Sequence, residues 1–213
     1  CGTIAPGAAR CQPWHGRAGR PEEPQDPMRL SSLWRRNRLA EPAQQLYLQL
    51  VQQARDPAFY RDLEVPDTLD GRFDMIALHA FLLLRRLKGE GREAQALGQA
   101  VFDALFDDMD NALREMGVAD LGVGKRIKAM GKALYGRIDA YDRALASDAA
   151  TLAEALGRNL YGTVAPRAGS VAAMAGYLRA ESAALEAAKI DEFFAGKLRF
   201  GPPPMADSGA KTV

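Results

Sequence analysis

Phe102-Asp103-Ala104-Leu105-Phe106-Asp107-Asp108-Met109-Asp110-Asn111-Ala112-Leu113-Arg114-Glu115-Met116-Gly117 is the stretch on which the fold turns. Phe102, Leu105, Phe106, Met109, Leu113 and Met116 recur at the spacing of one helix face, and Gly117 supplies the stop. Asp103, Asp107 and Asp110 repeat at i, i+4 and i+7, so they share a strip of the same helix, opposite Phe102 and Met109. An amphipathic helix with an acidic strip follows, and the sequence on either side repeats its pattern.

Downstream, Gly122-Val123-Gly124 makes a tight link to a stripe of Val123, Ile127, Met130, Leu134, Ile138, Tyr141 and Leu145. Ser147 or Asp148 can cap a helix carrying Leu152, Leu156 and Leu160, and Ser170 a further one carrying Met174, Tyr177, Leu178 and Leu185. Upstream, Leu46, Tyr47, Leu50, Val51 and Ala54 mark a helix stopped by Pro57. Thr68 or Asp70 can cap the next one, whose Met75–Leu84 run is apolar except for His79, as in a helix buried nearly all round. It closes in Arg85-Arg86-Leu87-Lys88-Gly89, cations and then Gly. No useful length alternates with period two, so no sheet is expected. The expected fold is all-α: a single compact multi-helix domain over 39–196, with disordered tails at 1–38 and 197–213.

Residues 1–27 hold Pro6, Pro13, Pro21, Pro24 and Pro27 without apolar periodicity, and the first methionine is Met28, so this leader reads as an over-extended reading frame. Leu30, Leu33 and Trp34 then fall at helical spacing, with Arg35, Arg36 and Arg38 behind them. A basic amphipathic segment with Trp suits a membrane interface or an organelle-targeting start; a frayed basic terminus is the plainer alternative. No run of ~20 apolar residues exists, so no spanning helix is expected. After Lys197 the chain should thin into a solvated tail through Gly201-Pro202-Pro203-Pro204.

The 213 residues carry 28 Lys+Arg against 27 Asp+Glu, which excludes a bulk nucleic-acid binder. Cys1 and Cys11 both lie in the leader, so the folded part has neither disulfides nor thiolate metal sites. With His15 also in the leader, His79 alone cannot build a usual zinc site, and its apolar face suits a hydrogen-bonded core or groove histidine better than a base. No catalytic residue, metal or cofactor is expected. Charge, however, is segregated. Residues 101–116 hold one Arg against five acids. Residues 117–145 hold Lys125, Arg126, Lys128, Lys132, Arg137 and Arg143 against three acids. Two oppositely charged docking faces can result, or two neighbouring helices that neutralise each other.

Two chemical alternatives use the same residues. Asp103, Asp107 and Asp110 could hold Mg²⁺ against an isoprenoid diphosphate, although the spacing is one residue short and no second acidic cluster faces it. Lys125, Arg126, Lys128 and Lys132 could serve a ribosome or RNA adapter. Gly122-Val123-Gly124-Lys125 fails as a phosphate loop, because Ala119, Arg126 and Ile127 stand where its pattern needs other residues.

Two stretches resemble the ubiquinol–cytochrome c chaperone family, over about residues 44–180. One is Phe59-Tyr60 through Val65-Pro66-Asp67-Thr68, Gly71-Arg72-Phe73-Asp74-Met75 and Leu78-His79. The other runs from Phe102-Asp103 through Phe106-Asp107-Asp108-Met109-Asp110 and Leu113-Arg114-Glu115-Met116-Gly117-Val118. It continues through Asp120-Leu121, Val123-Gly124-Lys125 and Lys128-Ala129-Met130 to Tyr135-Gly136-Arg137. The resemblance implies an assembly factor, not an enzyme. Mitochondrial relatives work with a small partner near the ribosome exit and help new cytochrome b into ubiquinol–cytochrome c reductase. Arg/Ala/Gly-heavy usage makes this chain look like a bacterial relative, placed in the cytoplasm at the inner-membrane surface. Its expected partners are cytochrome b or another reductase subunit, with the ribosome and the membrane surface as further contacts and no sequence-specific nucleic acid. Asp103, Asp107, Asp108, Asp110, Arg114, Lys125, Arg126, Lys128 and Lys132 are then a recognition surface, and no catalytic set transfers. Met75, Met109, Met116 and Met130 suit an adaptable surface, though Met in a helical stripe is more often core.

Overall fold

Leu69–Leu87 is the helix around which the others pack, and its sequence explains why. From Met75 to Leu83 every residue is buried, so no face is left for water. A fully buried Leu contributes about 2 kcal/mol of transfer free energy, and Leu78, Leu82, Leu83 and Leu87 are all buried in this one element. Thr68 caps it by accepting from the Gly71 N–H at 3.1 Å. Gly71 itself is required by close approach, since a Cβ there would lie 2.0 Å from the Pro66 carbonyl oxygen.

The computed structural model describes residues 27–118 and 120–205, with side chains from Arg38 onward apart from 119–121. Its elements are α1 (Pro27–Ala54), α2 (Pro57–Arg61), α3 (Leu69–Leu87), α4 (Arg92–Glu115), α5 (Asp120–Leu145), α6 (Ala149–Asn159), α7 (Ala168–Ala187) and α8 (Ile190–Phe194), with no strand among the described residues. α1 packs against α3 and α4, α5 against α3, α4 and α6, and α7 against α3 and α6. The all-α expectation holds, with α3 as the buried central helix. Asp148, not Ser147, caps α6, accepting from Thr151 N–H at 2.8 Å.

Two local expectations are corrected. Ser170 does not cap α7: it is buried inside that helix and donates to Glu64 at 2.8 Å. Glu64 also accepts the Arg167 N–H at 2.8 Å, so a carboxylate from another part of the chain serves the helix end. Glu64 itself stands at φ 59, where a non-glycine backbone is strained. α1 runs from Pro27 through residue 38 into the expected domain, whose first residue, Leu39, is core, and Arg38 pairs with Glu93 of α4. Finally, the chain just after Lys197 is not solvated at once but is held against the helices as far as Gly201, while Met205 is exposed. Leu198 is buried and Phe200 sets its ring edge-on to His79, centroids 4.9 Å apart. Gln49 accepts the Leu198 N–H, Gln53 donates to the Gly201 carbonyl, and Glu181 accepts the Gly201 N–H. Composition suggested solvent, but three polar side chains of α1 and α7 answer the backbone of this strap. The tail beyond Met205 and the leader before Pro27 lie outside the described residues.

Candidate functional site

α4 and α5 form an antiparallel hairpin with an outward face and an inward one. The Phe102 and Tyr135 rings lie 5.2 Å apart, and Phe106 lies so close to Gly131 that a Cβ there would meet its ring at 3.5 Å. These pairs step in opposite directions along the two helices, which fixes the register. Phe102 and Phe106 stack at 4.6 Å, so three aromatic rings line the seam. Inward, Val101, Leu105, Met109 and Leu113 of α4 and Val123, Leu134, Tyr141 and Ala144 of α5 are buried. Outward, Tyr135 is 59 % exposed, and Met116 at the end of α4 is 52 % exposed.

The charged residues divide between tied and untied. Asp108 turns toward α1 and accepts from the Tyr47 hydroxyl at 2.7 Å, so it is spent on the α1–α4 packing. Burial first, and then this bond, raise the Tyr47 phenol above its usual range. Asp103 accepts from Gln99 at 2.8 Å, and Asp110 pairs with Arg114 one turn on, both within α4. Asp107 is exposed. On α5, Lys125, Arg126, Lys128 and Lys132 are all exposed and form no ion pair with the described residues. The acidic and basic strips therefore sit beside each other on one hairpin, but the lysines remain available.

Arg137, also on α5, behaves differently. It reaches inward to Asp74 of α3 as an ion pair at 2.6 Å and lies over the Phe73 ring. Burial outweighs the guanidinium and pushes the Asp74 carboxyl up to about 6. Arg85 of α3 and Lys88, which caps its C-terminal end, both pair with Asp142, so α5 is fastened to the core along its C-terminal half.

His79 is fully buried. Its Nδ1–H donates to the Met75 carbonyl at 2.9 Å, and its Nε2 accepts from the Tyr177 hydroxyl at 3.0 Å, which in turn accepts from Gln53. Burial lowers its pKa to about 4, so it stays neutral and structural. Among the described residues no three His, Cys, Asp or Glu side chains converge enough to share a metal ion, Asp103, Asp107 and Asp110 included. Met75 and Met109 are core, Met130 is half-buried and Met116 exposed. The expected membrane-surface side chains Leu30, Leu33, Trp34, Arg35 and Arg36 lie outside the described residues, and no described helix is long and apolar enough to cross a membrane. The Asp74–Arg137 pair, Glu64 and the strap residues Gln49, Gln53 and Glu181 were not singled out from the sequence. The pair and Glu64 carried a signal, because all three residues fall inside the stretches that carry the family resemblance.

Comparison with known proteins agrees with this fold. The chain is 29% identical over 118 residues to ubiquinol-cytochrome-c reductase complex assembly factor 1 of Xenopus laevis, covering 55% of this chain and 59% of that protein. It is 31% identical over 155 residues to the mitochondrial protein CBP3 of Saccharomyces cerevisiae, covering 68% and 44%. The chain thus spans about half the length of the curated relatives it matches. The crystal structure of the Cbp3 homolog from Brucella abortus superposes with a TM-score of 0.69 at 36% identity, covering 81% of this chain and 96% of that one. The family model for the ubiquinol-cytochrome C chaperone matches residues 61–200, from the end of α2 to the strap residue Phe200 that rests on His79. The chain belongs to the ubiquinol-cytochrome C chaperone family.

Proposed function

We propose that this chain is an assembly chaperone for ubiquinol–cytochrome c reductase, receiving cytochrome b or another reductase subunit on the outward face of α4 and α5. It binds, holds and releases; no bond is made or broken. Membership of the chaperone family and the names of its relatives support the reductase as the assembled complex. One observation favours the hairpin as the contact. Lys125, Arg126, Lys128 and Lys132 stand exposed without ion-pair partners among the described residues, beside the exposed ring of Tyr135. Aromatic surface flanked by charge is how interfaces combine affinity with orientation. Work at the inner-membrane surface, through Leu30, Leu33, Trp34, Arg35, Arg36 and Arg38, completes the proposal.

Deleting the gene tests it. Cells without the protein should lose assembled ubiquinol–cytochrome c reductase while unrelated respiratory enzymes persist. Normal reductase levels in the deletion strain would refute the assignment.

A further inference from the structure

The outward face of the hairpin is complementary to itself. Asp107 and Asp110 follow Phe106, which meets α5 at Gly131, by one and four residues, so they lie about 100° and about 40° round α4 from that contact, on the same side. Lys132 follows Gly131 in the same way on α5, and Lys128, three residues before Gly131, lies about 60° round on the same side. Because the helices are antiparallel and both right-handed, these rotations of the same sense carry the two strips to the same side, one along each edge of the seam. Such a face shows acid on its left and base on its right.

A rotation of 180° about an axis parallel to the hairpin exchanges left and right while leaving height unchanged. It lays the acidic edge of one copy on the basic edge of the other, with α4 against α5 antiparallel, as in a four-helix bundle. Rotation about the perpendicular in-plane axis would set acid on acid. The register set by Phe102–Tyr135 and Phe106–Gly131 puts Asp107 level with Met130 and therefore between Lys128 and Lys132. Tyr135, 59 % exposed and level with Phe102, lies one turn beyond Lys132 at one end of this charged zone. A chain of net charge +1 offers almost no bulk repulsion to its own copy.

We infer that two copies of this chain associate face to face through α4 and α5 about such a two-fold axis, Asp107 and Asp110 of each lying against Lys128 and Lys132 of the other. It deepens the assignment of this hairpin as a docking face: the second copy covers the face until a client displaces it. An interface held by charged edges with a small aromatic patch at one end is weak and salt-dependent.

Sedimentation of the purified full chain, with no client present, tests this. At about 0.05 M salt the mass should rise with concentration from 23.1 kDa toward twice that value, and in about 1 M salt the dissociation constant should increase at least tenfold. D107K/D110K alone and K128E/K132E alone should each remain monomeric. An equimolar mixture of the two should recover a dimer, which also shows that both variants fold. If a double variant does not fold, D107K mixed with K128E carries the same comparison. A wild-type chain that stays monomeric at low salt up to on the order of 100 µM overturns the inference. So does a dimer indifferent to both reversals, or a mixture that fails to associate. None of these outcomes touches the reductase assignment, which stands or falls on the deletion strain.

Discussion

Arg137 of α5 closes on Asp74 of α3 at 2.6 Å, with its guanidinium over the ring of Phe73. The pair joins residues 63 positions apart and anchors the basic helix to the buried one. Removing only the cation leaves a carboxylate buried without compensation. Arg137→Met should cost about 2 kcal/mol in urea denaturation, less than a fully buried pair because the arginine keeps some solvent contact. Adding Asp74→Asn to that variant should recover part of the loss. A double variant no better than the single would mean the pair is not what anchors α5.

The two buried titrating groups pull in opposite directions as pH falls. Asp74 rises to about 6 in the folded state, so folding takes up a proton between pH 6 and 3.8 and this group adds stability as pH drops. His79 falls to about 4 from 6.5, so its contribution is complete above 6.5 and is lost as pH drops toward 4. Relative to wild type, Asp74→Asn should therefore lose ground between pH 6 and 4, and His79→Phe should gain ground, each by up to about 1 kcal/mol per pH unit. Denaturation at several pH values checks both slopes, and parallel curves would contradict the assignment of either group.

Gly71 tests the entry to the central helix. Gly71→Ala places a Cβ against the Pro66 carbonyl, so the turn from Pro66 to Thr68 must move. A loss of more than about 2 kcal/mol is expected from this backbone clash, seen as a lower denaturation midpoint. An unchanged midpoint would show that the turn yields freely.

Periodicity made the helices legible, because α3, α4 and α5 bury faces that recur every three or four residues. Capping was legible where the acceptor is local, as at Thr68 and Asp148. It failed at Ser170, where Glu64 arrives from 106 positions away and no local pattern announces it. The strap failed for the same reason. Gly201-Pro202-Pro203-Pro204 has the composition of a loose end, while the groups that hold Gly201 sit on α1 and α7. In the candidate site, the charged strips were visible as spacing. That Asp108 belongs to Tyr47 and Arg137 to Asp74 depends on which helices become neighbours.

The strap should matter to stability as core does. Leu198→Ala should cost about 2–3 kcal/mol, since its side chain is buried against the helices. Gln53→Ala should cost about 1 kcal/mol by leaving the Gly201 carbonyl without its donor. Thermal denaturation compares them, and a neutral Leu198→Ala would return this segment to the solvated tail its composition suggests.

The hairpin face is central to the proposed role, and complementation measures it directly. A strain lacking the gene is supplied with wild type, K128E/K132E, or Arg143→Glu, a control on an exposed α5 residue paired with Asp139 toward the other end of the helix. Native electrophoresis then reads assembled ubiquinol–cytochrome c reductase. K128E/K132E should fold with an unchanged melting temperature yet restore little reductase, while wild type and Arg143→Glu restore it fully. Full restoration by K128E/K132E, at wild-type protein levels, would contradict the claim that this face receives the client.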